Sequence, residues 1–256
     1  LSREDCPQTD AGRRECGALP YRSLVGLVRY LSDYTRPDIT LACGELCRFL
    51  SNPGKVHWKA GKRVVRYLKS TRGFGLSYDA SSAYNEHGEM RVEYWSDAAF
   101  ATDPDKRRSR SGYLIYVGGC LVGWRTGLQS IVAGSSSEAE YVAMAEVVRE
   151  GRYVCSLLTD LGETVARPVP LREDNVPAMK MSENPVKCSR AIDIKQHIVR
   201  QATGLGEIKP QWTKGSDMIA DCMTKATELG LFRRTRESMG MRDIEGPFVP
   251  VMGEDC

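Results

Sequence analysis

Four acidic side chains, Asp97, Glu140, Asp174 and Asp221, fall where separate elements of the chain could bring them together. Hydrophobic patterning places Asp97 at the end of a first strand, Glu140 in the opening turns of a helix, Asp174 at the end of a fourth strand and Asp221 in a last helix. If the first and fourth strands lie side by side, as a crossover connection places them, Asp97 and Asp174 project at one sheet edge, where open sheets hold their ligands. Carboxylates gathered there repel and raise one another's pKa values unless a cation neutralises them. The pocket therefore predicts a hard divalent metal, Mg²⁺ or Mn²⁺, with oxygen ligands and retained waters. Two such ions about 3.5–4 Å apart can activate a water and stabilise the leaving oxygen of a phosphodiester. Spacing alone does not single out this quartet among 33 acidic residues, and an Asp after a strand also serves as a turn or cap residue.

The elements that must position these groups are legible from periodicity. Leu24, Val25, Val28 and Leu31 recur at helical spacing; Thr35 and Pro37 open a second helix with Leu46, Phe49 and Leu50, and Asn52-Pro53-Gly54 stops it. A third helix places Trp58, Val65 and Leu68 on one face. Its Lys55, Lys59, Lys62, Arg63, Arg66, Lys69 and Arg72 are met by no acid within the run. Residues 81–88 combine small, polar and turn-forming residues and mark a boundary. Beyond it, Val92 to Ser96, Tyr113 to Val117 and Leu121 to Trp124 read as three strands, the last two flanking Gly118-Gly119. Ser136-Ser137 opens a helix, Pro168 to Leu171 is a strand, Val176 to Met181 and Ile192 to Ala202 are helices, Glu207 to Trp212 is a strand, and Ser216 caps a last helix. This order implies an α/β fold with a mixed five-stranded sheet, a meander joined by right-handed crossovers to later parallel strands. The expected division is a small helical segment over 1–80, a sheet-bearing domain over 81–230 and a weakly ordered tail over 231–256.

Composition sets outer bounds. A chain of 256 residues, 41% hydrophobic and 27% charged, can bury a core, and a net charge of +3 excludes a histone-like protein or an acidic solvating tail. Basic surface must be local: residues 1–90 hold 14 Lys or Arg against 10 Asp or Glu, leaving 22 against 23 for the rest. Nine scattered cysteines without a Cys-x-x-Cys argue against a disulfide framework or zinc ribbon. No stretch has the roughly 20 apolar residues of a membrane span, so no membrane partner and a soluble, intracellular chain are expected.

Several ordered blocks carry a resemblance. Tyr21-Arg22-Ser23-Leu24-Val25-Gly26, Thr35-Arg36-Pro37-Asp38-Ile39, Asn52-Pro53-Gly54-Lys55, Trp58 and Arg66-Tyr67-Leu68-Lys69 resemble the segment between polymerase and ribonuclease H in copia-type retrotransposon Pol polyproteins. Trp95-Ser96-Asp97-Ala98, Arg108-Ser109-Arg110-Ser111-Gly112-Tyr113, Ser135-Ser136-Ser137-Glu138-Ala139-Glu140-Tyr141, Asp174-Asn175 and Ile219-Ala220-Asp221-Cys222-Met223-Thr224-Lys225 resemble that family's ribonuclease H blocks, in family order. The resemblance covers roughly residues 18–228. It implies a ribonuclease H-like fold, cleavage of the RNA strand of an RNA/DNA hybrid with two Mg²⁺ (or Mn²⁺) ions, and Asp97, Glu140, Asp174 and Asp221 as metal ligands and catalytic residues. It also implies the reverse transcriptase part of the same polyprotein as a partner, and a place in the cytoplasm, a virus-like particle or the nucleus.

Glu138 competes with Glu140 for the ligand role; on a helix the two point about 200° apart, so one alone can face the site. His197 matches a family His and is a second candidate, for proton transfer or product release, against a plain surface His. Departures from the family are Ala99 in place of a second Asp, Ala191 in place of a His, and a shortened loop from Asn184. The paired aspartates of a polymerase are absent from the chain. For the hybrid's phosphates, Lys55, Lys59, Lys62, Arg63 and Arg66 on the basic helix and Lys106, Arg107, Arg108 and Arg110 after the first strand are candidate contacts; Asn175 reaches a 2′-hydroxyl or caps a helix. The rival function is a catalytically inactive, nucleic-acid-binding transposon remnant.

Overall fold

The computed structural model describes residues 1–183 and 197–244. The front third is helical: α1 (Asp10–Gly17), α2 (Tyr21–Tyr34), α3 (Thr40–Cys47) and α4 (Lys55–Ser70). Pro37 starts a 3-10 turn over Pro37–Ile39, and the expected second helix begins only at Thr40. Tyr21, Val25 and Leu46 form one small core, and Val28, Ile39 and Cys43 another. On α4 the inward face runs through His57, Gly61 and Val64; Trp58 and Leu68 pack against the small cores as expected, whereas Val65 is 44% exposed and Val64 takes its place. α1 had no sequence signal: its Asp10, Arg13 and Arg14 mask a short helix that buries Cys16.

The second part holds β1 (Phe74–Leu76), β2 (Val92–Ala99), β3 (Arg110–Val117), β4 (Cys120–Leu128), α5 (Ser136–Asp160), β5 (Val169–Glu173), α6 (Val176–Glu183), α7 (Ile198–Gly204), β6 (Ile208–Trp212), α8 (Leu229–Ser238) and β7 (Met241–Asp243). Five strands form a mixed sheet in the order β4-β3-β2-β5-β6. β2, β3 and β4 pair antiparallel, β3 turning into β4 at Gly118-Gly119 with both glycines at positive φ, whereas β5 and β6 join parallel. This is the ribonuclease H-like α/β sheet the sequence predicts. One face packs against α5, α6 and α7 through Tyr94, Ile115, Tyr141, Val148 and Leu171. The other is covered by Cys222, Met223, Met239 and Met241 over Leu114 and Leu121.

Residues 229–243, most of them expected as a weakly ordered tail, instead form α8 and β7, and β7 pairs antiparallel with β1. The apolar side chains Met239 and Met241 drive this docking, being almost wholly buried. The last helix expected from Ser216 is not continuous either. Two 3-10 turns, Gly215–Asp217 and Ile219–Met223, are separated by an extended Met218. Residues 245–256, and the start of the helix expected from Ile192 with Ala191 and the loop from Asn184, lie outside the described residues. Among the described residues no helix is long and apolar enough to cross a membrane, and the seven cysteines are free.

Helical and sheet-bearing parts meet through polar contacts. Trp124 Nε1 donates to the Ser32 carbonyl at 2.8 Å, Arg48 pairs with Asp103 at 2.5 Å and with Asp105 at 3.1 Å, and Arg110 pairs with Glu45.

Candidate metal centre

Parallel pairing of β2 with β5, in the register Tyr94 to Leu171 and Trp95 to Arg172, brings the C-terminal ends of both strands level. Asp97, 2% exposed, and Asp174 therefore meet at that edge. α5 adds the third group. Its N-terminus is fixed by the N-cap Ser135, whose Oγ accepts from the Glu138 amide at 3.2 Å, while the Glu138 carboxylate accepts from the Gly134 amide just ahead of the cap at 2.7 Å. Glu138 is thus occupied in the cap, and Glu140 faces inward. Asp97, Glu140 and Asp174 each offer an oxygen within 4.8 Å of the others.

Asp221 arrives by a different device. Gly112 lies opposite Asp97 in the β2–β3 register, and a Cβ there would collide with Met223 and Thr224. Its absence lets the turn Ile219–Met223 lie directly on β3, where Thr126 donates to the Met223 carbonyl and Thr224 donates to Asp97 Oδ2. Lys225 Nζ then sits 2.9 Å from Asp221 Oδ1 and 3.6 Å from Asp97 Oδ1. All four sequence-predicted carboxylates thus stand in one neighbourhood, three within reach of a single point and Asp221 beside Asp97. No hydrogen bond or ion pair among the described residues joins His197, at the start of α7, to this cluster.

A fifth carboxylate, missed by the sequence reading, belongs to the same neighbourhood. Glu173 is wholly buried, accepts from Ser96 Oγ at 2.8 Å and from the Asn175 amide at 3.2 Å, and so ties β2 to the turn that carries Asp174. Burial pushes its pKa well up. Glu140 rises to about 11, through burial and then the charges of Glu173, Asp97 and Asp174; Asp221 rises to about 6, through burial and Asp97. Glu140 Oε2 is buried with no hydrogen-bond partner among the described residues. Crowded carboxylates with an unsatisfied buried oxygen fit a hard divalent cation, which would accept that lone pair and lower all these pKa values.

The chain is 34% identical over 243 residues to the retrovirus-related Pol polyprotein from transposon TNT 1-94 of Nicotiana tabacum, covering 94% of this chain and 18% of that protein. It is 34% identical over 226 residues to that from transposon RE1 of Arabidopsis thaliana, covering 88% of this chain and 15% of the relative. The chain is homologous, over most of its length, to a segment of retrovirus-related transposon Pol polyproteins. It spans less than a fifth of the length of these two Pol relatives. No protein-family model matches it. Among solved structures, RNase H1 of Halobacterium salinarum aligns at a TM-score of 0.37 with 18% identity, over 52% of this chain and 94% of that one. The ribonuclease H-like character of this Pol segment rests on its own strand order and register.

The basic positions divide once placed. On α4 of the Pol segment, Lys55, Lys59, Lys62, Arg63 and Arg66 are exposed, and all but Arg63 line a cavity of about 730 Å³ together with Trp58. The face is not free of acids, because Glu15 on α1 pairs with Lys55 at 2.6 Å. Arg63 and Tyr67 line a second cavity, of about 460 Å³, together with Lys225 of the carboxylate neighbourhood. Lys106 and Arg107 are exposed. Arg108 is half-buried and donates to the Gln129 carbonyl at 3.4 Å. Arg110 is corrected: as the first residue of β3 it is 4% exposed and spent on Glu45 and Thr126, so it offers nothing to a phosphate. Asn175 Oδ1 caps α6 by accepting from the Ala178 amide at 2.9 Å.

Proposed function

We propose that this chain is the ribonuclease H segment of a copia-type Pol polyprotein, a metal-dependent endonuclease that cuts the RNA strand of an RNA/DNA hybrid. The convergence of Asp97, Glu140 and Asp174 from three elements onto one point carries the reading. Asp97, Glu140 and Asp174, with Asp221 beside them, would hold two Mg²⁺ or Mn²⁺ ions. When bound, such ions supply an activated water and stabilise the leaving oxygen. The protein's own part is positional. Thr224 fixes one oxygen of Asp97, Glu173 anchors the Asp174 turn to β2 through Ser96, and the α5 cap sets the depth of Glu140. Exposed cations on α4 and at Lys106 and Arg107 suit the two phosphate backbones of a hybrid, and such contacts carry no base sequence. The helical part, over residues 1–80, is in this reading the connection to the reverse transcriptase of the same polyprotein.

Purified chain with Mg²⁺ is expected to cut the RNA strand of a labelled hybrid, with Asp97→Asn and EDTA each abolishing cleavage. Equal cutting by wild type and Asp97→Asn rejects the assignment; hybrid binding without turnover in both Mg²⁺ and Mn²⁺ favours an inactive remnant.

A further inference from the structure

Among the described residues, the carboxylate neighbourhood has a cation of its own in Lys225, which alone is ion-paired to any of Asp97, Glu140, Asp174 and Asp221. Its ammonium bridges Asp221 and Asp97, whose side chains are 14% and 2% exposed, while its own side chain is 47% exposed and has room to swing outward. A flexible stem ending in a point charge can leave a site that a planar guanidinium forked onto a carboxylate would hold more rigidly. The adjacent Thr224 stays on the other oxygen of Asp97, so Asp97 remains oriented whichever cation it faces.

We propose that Lys225 is a built-in counter-ion of this site: a positioning residue that holds Asp97 and Asp221 together until a divalent cation binds, and that competes with that cation for their oxygens. The inference rests on the reading of the cluster as a metal centre. Asp97 and Asp221 lie side by side with Asp174 close to Asp97, and Lys225 supplies the charge that offsets their repulsion in the metal-free protein. An ammonium and a metal ion drawn to the same oxygens repel each other. Lys225 therefore stabilises the metal-free protein and weakens metal binding, two effects that a merely structural lysine does not couple. Damage to a site loosens its metal, whereas removal of a competitor tightens it.

The test is calorimetric titration of Mn²⁺ into the full chain without nucleic acid, for wild type, Lys225→Met, Lys225→Arg and Asp97→Asn. Lys225→Met is expected to bind Mn²⁺ about tenfold more tightly, the scale of one ammonium within 4 Å at a half-exposed position, and Lys225→Arg to bind it no more tightly than wild type, since a guanidinium keeps the competing charge and leaves the carboxylates less readily. Melts in EDTA are expected to show Lys225→Met below wild type, with the gap closing at saturating Mn²⁺; a Lys225→Met chain that folds only with Mn²⁺ supports the counter-ion equally. Unchanged or weaker Mn²⁺ affinity in Lys225→Met overturns the counter-ion while leaving the metal centre intact. A wild type that takes up no Mn²⁺, or takes it up as well as Asp97→Asn does, removes the metal centre itself.

Discussion

Glu140 shows what a single side chain can reveal about a site. Its pKa, raised from an ordinary 4.5 to about 11 by burial and its acidic neighbours, means that the metal-free folded state holds a proton that the unfolded chain has released. Stability from this group is full below about pH 4.5 and is lost as pH climbs toward 11. Asp221 acts with the same sign between its ordinary 3.8 and about 6. In EDTA the melting temperature is expected to fall between pH 6 and 9, and Glu140→Gln to flatten that slope; a Glu140→Gln profile parallel to wild type would show that the proton sits elsewhere. Part of this was visible in the chain itself. Once a helix was assigned, one alone of Glu138 and Glu140 could face the site, because the two diverge around its axis; the cap that occupies Glu138 decides between them. Glu173 was readable too, since it shares the alternation of Val169 and Leu171 in β5 and so must point into the core, an odd place for a carboxylate.

At the level of elements, strands and long helices follow from periodicity, and departures come where tertiary contact overrides it. The turn carrying Asp221 has helix-like spacing at Ile219 and Met223, yet it packs as a 3-10 turn because Gly112 leaves a slot on β3 that a wider α-helix would not enter. Arg110 looked like one more cation in a basic run, because nothing local announces that Glu45, far away in sequence, closes over it. Glu45→Ala leaves a buried guanidinium without its partner. It is expected to cost about 2–3 kcal/mol in urea denaturation, less than a fully buried pair because Glu45 is 28% exposed. The exposed face of α4 behaves differently. Reversing Lys59, Lys62 and Arg66 to Glu is expected to leave stability within about 0.5 kcal/mol. It should weaken hybrid binding and lower the salt slope by about 0.9 for each phosphate no longer neutralised, as read by fluorescence anisotropy across salt concentrations. An unchanged slope would take α4 out of the interface.

Across the whole molecule, the sheet's outer face is closed by chain that the sequence made look dispensable. Glycines and prolines after Gly240 suggested looseness, but Met239 and Met241 are nearly inaccessible, and β7 completes a two-stranded sheet with β1. Truncation after Glu228 is expected to expose Leu114 and Leu121 and to cost several kcal/mol, about 1.5–3 for each methionine, seen as a lower urea midpoint. A truncated chain as stable as the intact one would show that this closure is ornamental. The pairing of β1 with β7 also has a temporal side. Translation delivers Phe74 and Leu76 well before Met241, so a nascent chain carries an uncapped apolar strand throughout synthesis of everything between them. Only when Asp243 emerges from the ribosome can β1 and β7 meet. Premature termination in this stretch should yield product prone to aggregation and degradation.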